Sequence, residues 1–154
     1  MRTFRFQSEL FLPNALEKVF EFFADAHNLQ KLTPPWLHFK ILNESPVEMK
    51  KGTLIDYSLR IHGVPVRWQS EITLWEPPHR FVDSQTRGPY RLWNHEHSFS
   101  STGEGTRVSD SVEYAVMGGI LVQKLFVAPD LKKIFNYRSA QLKEIFKSSG
   151  SADA

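Results

Sequence analysis

Apolar and polar positions divide the chain into three stretches of different period. At the start, Phe4, Phe6, Ser8 and Leu10 alternate with Arg5, Gln7 and Glu9, the period of two that marks a strand with one face turned inward. Pro13 and Asn14 punctuate it. Asn14 followed by Glu17 has the form of a capping box, and Leu16, Val19, Phe20 and Phe23 then recur at helical spacing. Residues 25–28 close that helix and 29–32 read as a second short one. Thr33-Pro34-Pro35 stops it, because proline brings no amide donor and pushes its predecessor to extended geometry.

From residue 36 to about 116 the pattern is one of strands between turns, over roughly 36–43, 53–61, 64–76, 80–87, 90–100 and 105–116. The breaks carry turn chemistry at Lys51-Gly52, His62-Gly63, Pro77-Pro78, Gly88-Pro89 and Thr102 to Gly105. Links this short imply antiparallel neighbours, since parallel ones need crossovers of a dozen or more residues. After Gly118-Gly119 the period is helical again. Leu121, Val122, Leu125 and Phe126 lead to Pro129, and Leu131, Ile134, Phe135, Leu142, Ile145 and Phe146 continue the stripe. Pro129 is expected to kink the segment or to open a new helix. The small, polar residues 148–154 are expected to fray. With no repeat and no interior linker, residues 1–147 read as one domain.

The expected fold is therefore α+β, a curved seven-stranded antiparallel sheet with two short helices after the first strand and a long C-terminal helix. A sheet of this width curls, and one amphipathic helix cannot fill its whole concave face. The remaining space becomes either extra packing or a cavity.

Composition narrows the function classes. The chain has 154 residues, 19 Lys and Arg against 17 Asp and Glu, and no Cys, so disulfides, thiolate metal sites and a thiol nucleophile are excluded. The basic residues are spread along the chain without a stripe, which argues against nucleic acid as a partner. No apolar run reaches the roughly 18–20 residues of a membrane span, and the first residues carry no apolar signal segment. Stable membrane insertion is not expected, and a cytoplasmic location is.

Several stretches, taken together, resemble a bacterial branch of ligand-binding proteins in the START-like, or SRPBCC, superfamily. They are Leu32-Thr-Pro-Pro-Trp36, Phe81-Val-Asp-Ser-Gln85, Gly88-Pro-Tyr90, Trp93-Asn-His95-Glu-His97-Ser-Phe99, Gly105-Thr106 with Asp110 and Tyr114, and Phe135-Asn-Tyr-Arg138. The element order resembles the helix-grip fold of that superfamily over nearly the whole chain. Its members include lipid-transfer domains, plant pathogenesis-related allergens, coenzyme-Q-binding proteins and polyketide aromatase/cyclases. The resemblance implies a fold and a hydrophobic cavity, and brings with it no reaction, cofactor or catalytic residue.

Strand parity then selects the residues that would face that cavity. Val66, Trp68, Ser70, Ile72 and Leu74 share one face, as do Trp93, His95, His97 and Phe99, and Thr106, Val108, Asp110, Val112 and Tyr114. On 80–87 the choice between Phe81, Asp83, Gln85 and Arg87 and the alternate set stays open. The tight turns place Asp83 near His95, and Asp110 opposite His95 or His97. The expectation is a knot of two imidazoles and two carboxylates in an aromatic wall. Such a knot reads as a structural hydrogen-bond network or ligand-orienting group, or as general acid/base machinery with His95, His97 or Asp110 as candidates. His95-x-His97 with Asp110 also has the look of a metal site, but with no further His or Cys near it no metal is expected. Arg138 lies on the apolar stripe of the terminal helix. It could pair with Asp83 or Asp110, meet an anionic ligand group, or snorkel past the helix edge.

The reading that follows is non-covalent binding of a small hydrophobic molecule, lipid-, polyketide- or quinone-like, carrying a polar or acidic group. Trp36, Trp68, Trp93, Phe99 and Tyr114 would give apolar contact. Asp83, Gln85, His95, His97, Asp110 and Arg138 would orient the polar end. The ligand would pass the short helix and Thr33 to Trp36, acting as a lid. The alternative is a cyclase, aromatase or dehydratase using a cavity His or Asp, and the state, monomer or homodimer, is left open.

Overall fold

The computed structural model describes residues 1–44 and 46–152, with side chains as far as Lys147. Strand β1 (Phe4–Leu12) is followed by helix α1 (Leu16–Phe23), a 3-10 turn at Ala26–Asn28, helix α2 (Leu29–Leu32) and a second 3-10 turn at Pro35–Leu37. Then come β2 (Lys40–Ile41), β3 (Leu54–Ile61), β4 (Val64–Glu76), β5 (Arg80–Arg87), β6 (Leu92–Ser101) and β7 (Thr106–Ala115). The chain continues through α3 (Gly119–Val122), a π-helical turn at Gln123–Val127 and α4 (Ala128–Ala152). The tail expected at 148–154 lies outside the described residues, apart from the helical backbone to Ala152.

All seven strands form one antiparallel sheet in the order β1-β7-β6-β5-β4-β3-β2. The last six follow the chain as a meander. The first is returned to the far edge beside β7, with Phe4 opposite Tyr114 and Leu12 opposite Thr106. The alternation read in β1 is kept, with Arg5, Gln7 and Glu9 exposed and their neighbours partly buried. The β3–β4 link is a two-residue turn closed by the Ile61–Val64 pair, with His62 at φ 50° and Gly63 at φ 81°. Positive φ at both central residues gives the twist that suits flanking strands.

Four local expectations are corrected. The strand expected over 36–43 shrinks to Lys40–Ile41. Pro35 sets a 3-10 turn ended by His38 in the left-handed region, and the Asn43 side chain takes over the backbone groups of Leu54 and Asp56 at 3.0 and 2.6 Å. The capping box does not form: the N-cap of α1 is Ala15, with no side-chain cap. The Asn14 carbonyl instead accepts from Thr106 Oγ1 at 2.7 Å, which holds the β1–α1 corner to β7. In β4 the register shifts between Ile72 and Leu74, so Trp75, not Leu74, packs with Phe20 and Phe81. A bulge of this kind inverts the parity beyond it. The strand expected from residue 90 begins at Leu92.

On the concave face α1 buries Leu16, Val19, Phe20 and Phe23 in a cluster with Leu12, Ile72, Phe81, Phe99 and Val108. Helix α4 lays Leu131, Phe135, Arg138, Leu142 and Phe146 along the sheet, all buried. Before it, the π turn precedes Pro129, whose ring nitrogen has no hydrogen to offer a helical carbonyl four residues back. Met117, Ile120, Leu121, Leu125 and Phe126 around this turn are exposed. No helix among the described residues is long and apolar enough to cross a membrane.

Candidate functional site

The centre of the sheet gathers the ionisable residues. Backbone register sets Asp83 of β5 opposite His95 of β6, and His97 of β6 opposite Asp110 of β7. The short side-chain bonds do not follow these facing pairs, which stand 3.8 Å (His95 and Asp83) and 3.6 Å (His97 and Asp110) apart. His95 Nε2 lies 2.7 Å from Asp110 Oδ1, and His97 Nε2 lies 2.6 Å from Asp83 Oδ2. Each imidazole thus bonds to the carboxylate diagonal to it, and the two reach to opposite neighbouring strands. The rings stack on each other at 3.7 Å between centroids, and His97 also stacks on Phe81 at 4.1 Å.

Arg138 enters from α4. Its Nη2 is 3.2 Å from His97 Nδ1 and 3.5 Å from Asp110 Oδ1, and the guanidinium sits over the Phe23 and Phe135 rings. Of the partners open to it from sequence, Asp110 is the one it contacts; its head does not snorkel. Arg138 Nε is buried and finds no acceptor among the described residues.

The hydrogen bonds set the protonation of His97. A guanidinium only donates, so Nδ1 must carry the lone pair, and the hydrogen on Nε2 goes to Asp83. Burial agrees, pushing the His97 pKa down to about 4, aided by the His95 charge and opposed by Asp83. Burial raises the Asp110 pKa, but the Arg138 guanidinium and the His95 bond outweigh it and hold the carboxyl well below its ordinary range. Asp83 is likewise lowered against burial by the His97 hydrogen bond and by the His95, His97 and Arg138 charges.

Beside the cluster, between sheet and α4, is a pocket of about 450 Å³. Trp68, Trp93, Tyr57, Leu59, Leu37 and Ile134 make its apolar wall, while Asp83, His95, His97 and Arg138 bound its inner end. Trp36, half exposed, and His62, Gly63, Asp130 and Lys133 stand at its outer side. His62 Nε2 is 2.7 Å from Asp130 Oδ2, joining the β3–β4 turn to α4.

Of the residues proposed from sequence to contact a ligand, Trp36, Trp68, Asp83, Trp93, His95, His97 and Arg138 line this pocket, and four do not. Asp110 lies behind the histidines. Phe99 is sealed in the core against Phe20 and Phe23. Tyr114 packs on Phe4 and accepts from Gln123 Nε2 at 3.0 Å. Gln85 clamps the turn before β6 through both backbone groups of Tyr90, at 2.8 and 3.1 Å. Sequence reasoning missed Tyr57, which shares the parity of the buried Ile55 and Leu59; Ser70, placed on the inward face from sequence, accepts from Trp68 Nε1 at 3.0 Å and bonds the Tyr57 hydroxyl at 3.2 Å. That reasoning also gave no role to Tyr90 or His62. Burial raises both the Tyr57 and the Tyr90 phenol pKa, keeping them protonated.

Asp83, His95 and His97 hold ligand-type atoms within 4.8 Å of one another, with Asp83 rather than Asp110 as the third group. The donor set suits a cation poorly. Both His97 nitrogens are taken, and the Arg138 guanidinium already supplies the positive charge that a metal would bring.

A curved antiparallel sheet gripping a long C-terminal helix, with a pocket between them, is the helix-grip architecture of the SRPBCC superfamily. Within it, the family described as "Polyketide cyclase / dehydrase and lipid transport" matches residues 12–143, and the chain belongs to that family. Solved structures share the fold at low identity. TTHA0849 from Thermus thermophilus superposes with a TM-score of 0.70 at 22% identity, covering 94% of this chain and 98% of that one. Protein Ms6760 from Mycobacterium smegmatis gives 0.68 at 15%, covering 96% and 92%. The ginseng major latex-like protein 151 from Panax ginseng gives 0.70 at 12%, covering 94% and 97%. No curated protein sequence matches significantly.

Proposed function

We propose that this protein binds a small hydrophobic molecule, lipid-, polyketide- or quinone-like, in the pocket between sheet and C-terminal helix. One observation carries the reading: about 450 Å³ of space, walled mainly by aromatic and aliphatic side chains, reaches the buried cluster of Asp83, His95, His97 and Arg138. That volume and lining are those of small-molecule sites. The fold family supports the same class of function. Native mass spectrometry of protein purified from its own host should reveal a co-purifying lipophile. The neutral apolar dye N-phenyl-1-naphthylamine should brighten on binding, and Ile134→Trp, which fills the pocket from α4, should abolish that signal while the protein stays folded. Dye binding that survives Ile134→Trp unchanged would overturn the reading.

A second reading is an enzyme of the cyclase or dehydratase kind. It is favoured by His95, whose Nε2 is oriented by Asp110 while its Nδ1 has no hydrogen bond among the described residues, the closest carboxylate oxygen, Asp83 Oδ2, lying 3.8 Å away. A nitrogen so placed can take a proton from a bound substrate. Turnover lost on His95→Ala or Asp110→Asn, with affinity retained, would establish it.

A further inference from the structure

The cluster's charge restricts what the pocket can hold. Asp83 and Asp110 bring two negative charges and Arg138 one positive, and His97 is neutral because Arg138 donates to its Nδ1. The cluster is therefore anionic with His95 neutral and balanced with His95 charged; in neither state is it positive. The other charged side chains lining the pocket do not reverse this: Asp25 and Asp130 face one Lys133, with His62 already bonded to Asp130. A carboxylate brought to the inner end would be a further anion beside two carboxylates whose one guanidinium is already shared with Asp110, and such burial is costly. Arg138 offers such an anion little: Nη2 is shared by His97 and Asp110 and Nε is buried, which leaves Nη1 on a guanidinium already neutralised by Asp110.

With His95 neutral and its Nε2 hydrogen given to Asp110, the free carboxylate and imidazole atoms at the inner end are acceptors. Asp83 Oδ1 receives no hydrogen bond among the described residues, its partner oxygen Oδ2 being the one held by His97. His95 Nδ1 is likewise unbonded, and it faces Asp83 from the directly opposed position on the next strand. A single O–H or N–H group set between them would give this partly buried carboxylate oxygen the donor it lacks among the described residues.

We propose that the pocket takes a hydrogen-bond-donating, uncharged amphiphile, such as a phenol, enol or long-chain alcohol, whose hydroxyl donates to Asp83, and that it rejects a carboxylate of the same shape. This rests on the ligand-binding reading above and removes the acidic half of the polar-or-acidic group expected from sequence.

Three probes with one apolar body test it: 2-naphthol, 2-naphthoate and 2-methylnaphthalene, titrated at pH 7 by calorimetry into the full chain. The expected order is naphthol tightest, with naphthoate weaker by roughly tenfold or more, equivalent to about 1.4 kcal/mol. In Asp83→Asn naphthol should lose affinity while naphthoate gains or holds, so that the gap narrows. The wild-type ranking carries the test even where that variant does not fold. Naphthoate binding as tightly as naphthol, or methylnaphthalene matching naphthol, would overturn this inference and leave a ligand-binding pocket in place. Binding of none of the three would overturn both.

Discussion

The two ends of the concave face are built from similar residues and end up in opposite conditions. At one end α1 packs Phe20 and Phe23 against Phe81 and Phe99, filling the space up to Phe23 and Phe81, which also stand on the pocket wall. At the other, Trp68, Trp93 and Tyr90 pack on one another along the sheet, while α1 stops short of them and the pocket remains. Aromatic content does not decide which end is hollow; α1 ends at the boundary, with Phe22 and Phe23 on the pocket wall. His97 and His95 mark the border. The first stacks on Phe81 with both nitrogens used, and the second stands edge-on to Trp93 with one nitrogen unbonded.

The sharpest way to break this contrast is at the border. Arg138→Met removes the counter-charge of Asp110 and should cost about 3–5 kcal/mol in urea denaturation, the range for stripping one member from a buried charge group. Next, truncation should expose the asymmetry of the two ends. Phe99→Ala in the filled end should cost roughly 3–5 kcal/mol. Ile134→Ala, partly buried over the pocket, should cost about 1 kcal/mol, because little packing is lost beside existing space.

Acid should act in two stages. His97 has a folded pKa of about 4, below the unfolded value of about 6.5. The unfolded chain therefore takes up a proton that the folded one refuses, and stability falls as pH drops from 6.5 towards 4, by up to roughly 1.4 kcal/mol per unit. Asp83 and Asp110, both depressed, hold their contribution above the unfolded aspartate pKa and lose it as pH falls further. Denaturation midpoints from pH 7.5 to 3.5 check this, and nitrogen-15 spectra should find His97 protonated on Nε2 alone at pH 7. The smallest effect belongs to the rim. Trp36→Ala, 53% exposed in the wild type, should change stability by no more than about 0.5 kcal/mol yet weaken dye binding severalfold.

Much of this was legible in the residues. Period two and short turns foretell the meander, and strand parity brings Trp93, His95 and His97 to one face. Four things were not. Residues 36–43 carry strand-like composition, but Asn43 satisfies the neighbouring strand with its side chain, a substitution that no periodicity reveals. The β4 bulge that turns Trp75 inward leaves no mark in the alternation. The crossed pairing of the histidines depends on side-chain rotation, whereas turn lengths specify only backbone register. Phe99 and Tyr114 share the parity of the pocket residues, and only the position of α1 and of the α3 region decides that they are sealed.

That crossed pairing has a mechanical consequence. One imidazole is lashed to β5, its neighbour to β7, and the guanidinium straps α4 across both, so three strands and a helix are tied at a single level. The inner end of the hollow is an anvil, while the rim depends on lighter fastenings, Trp36 against Tyr137 and His62 against Asp130. If the proposed ligand binds here, its head would meet this fixed stop and its length would be felt at the rim.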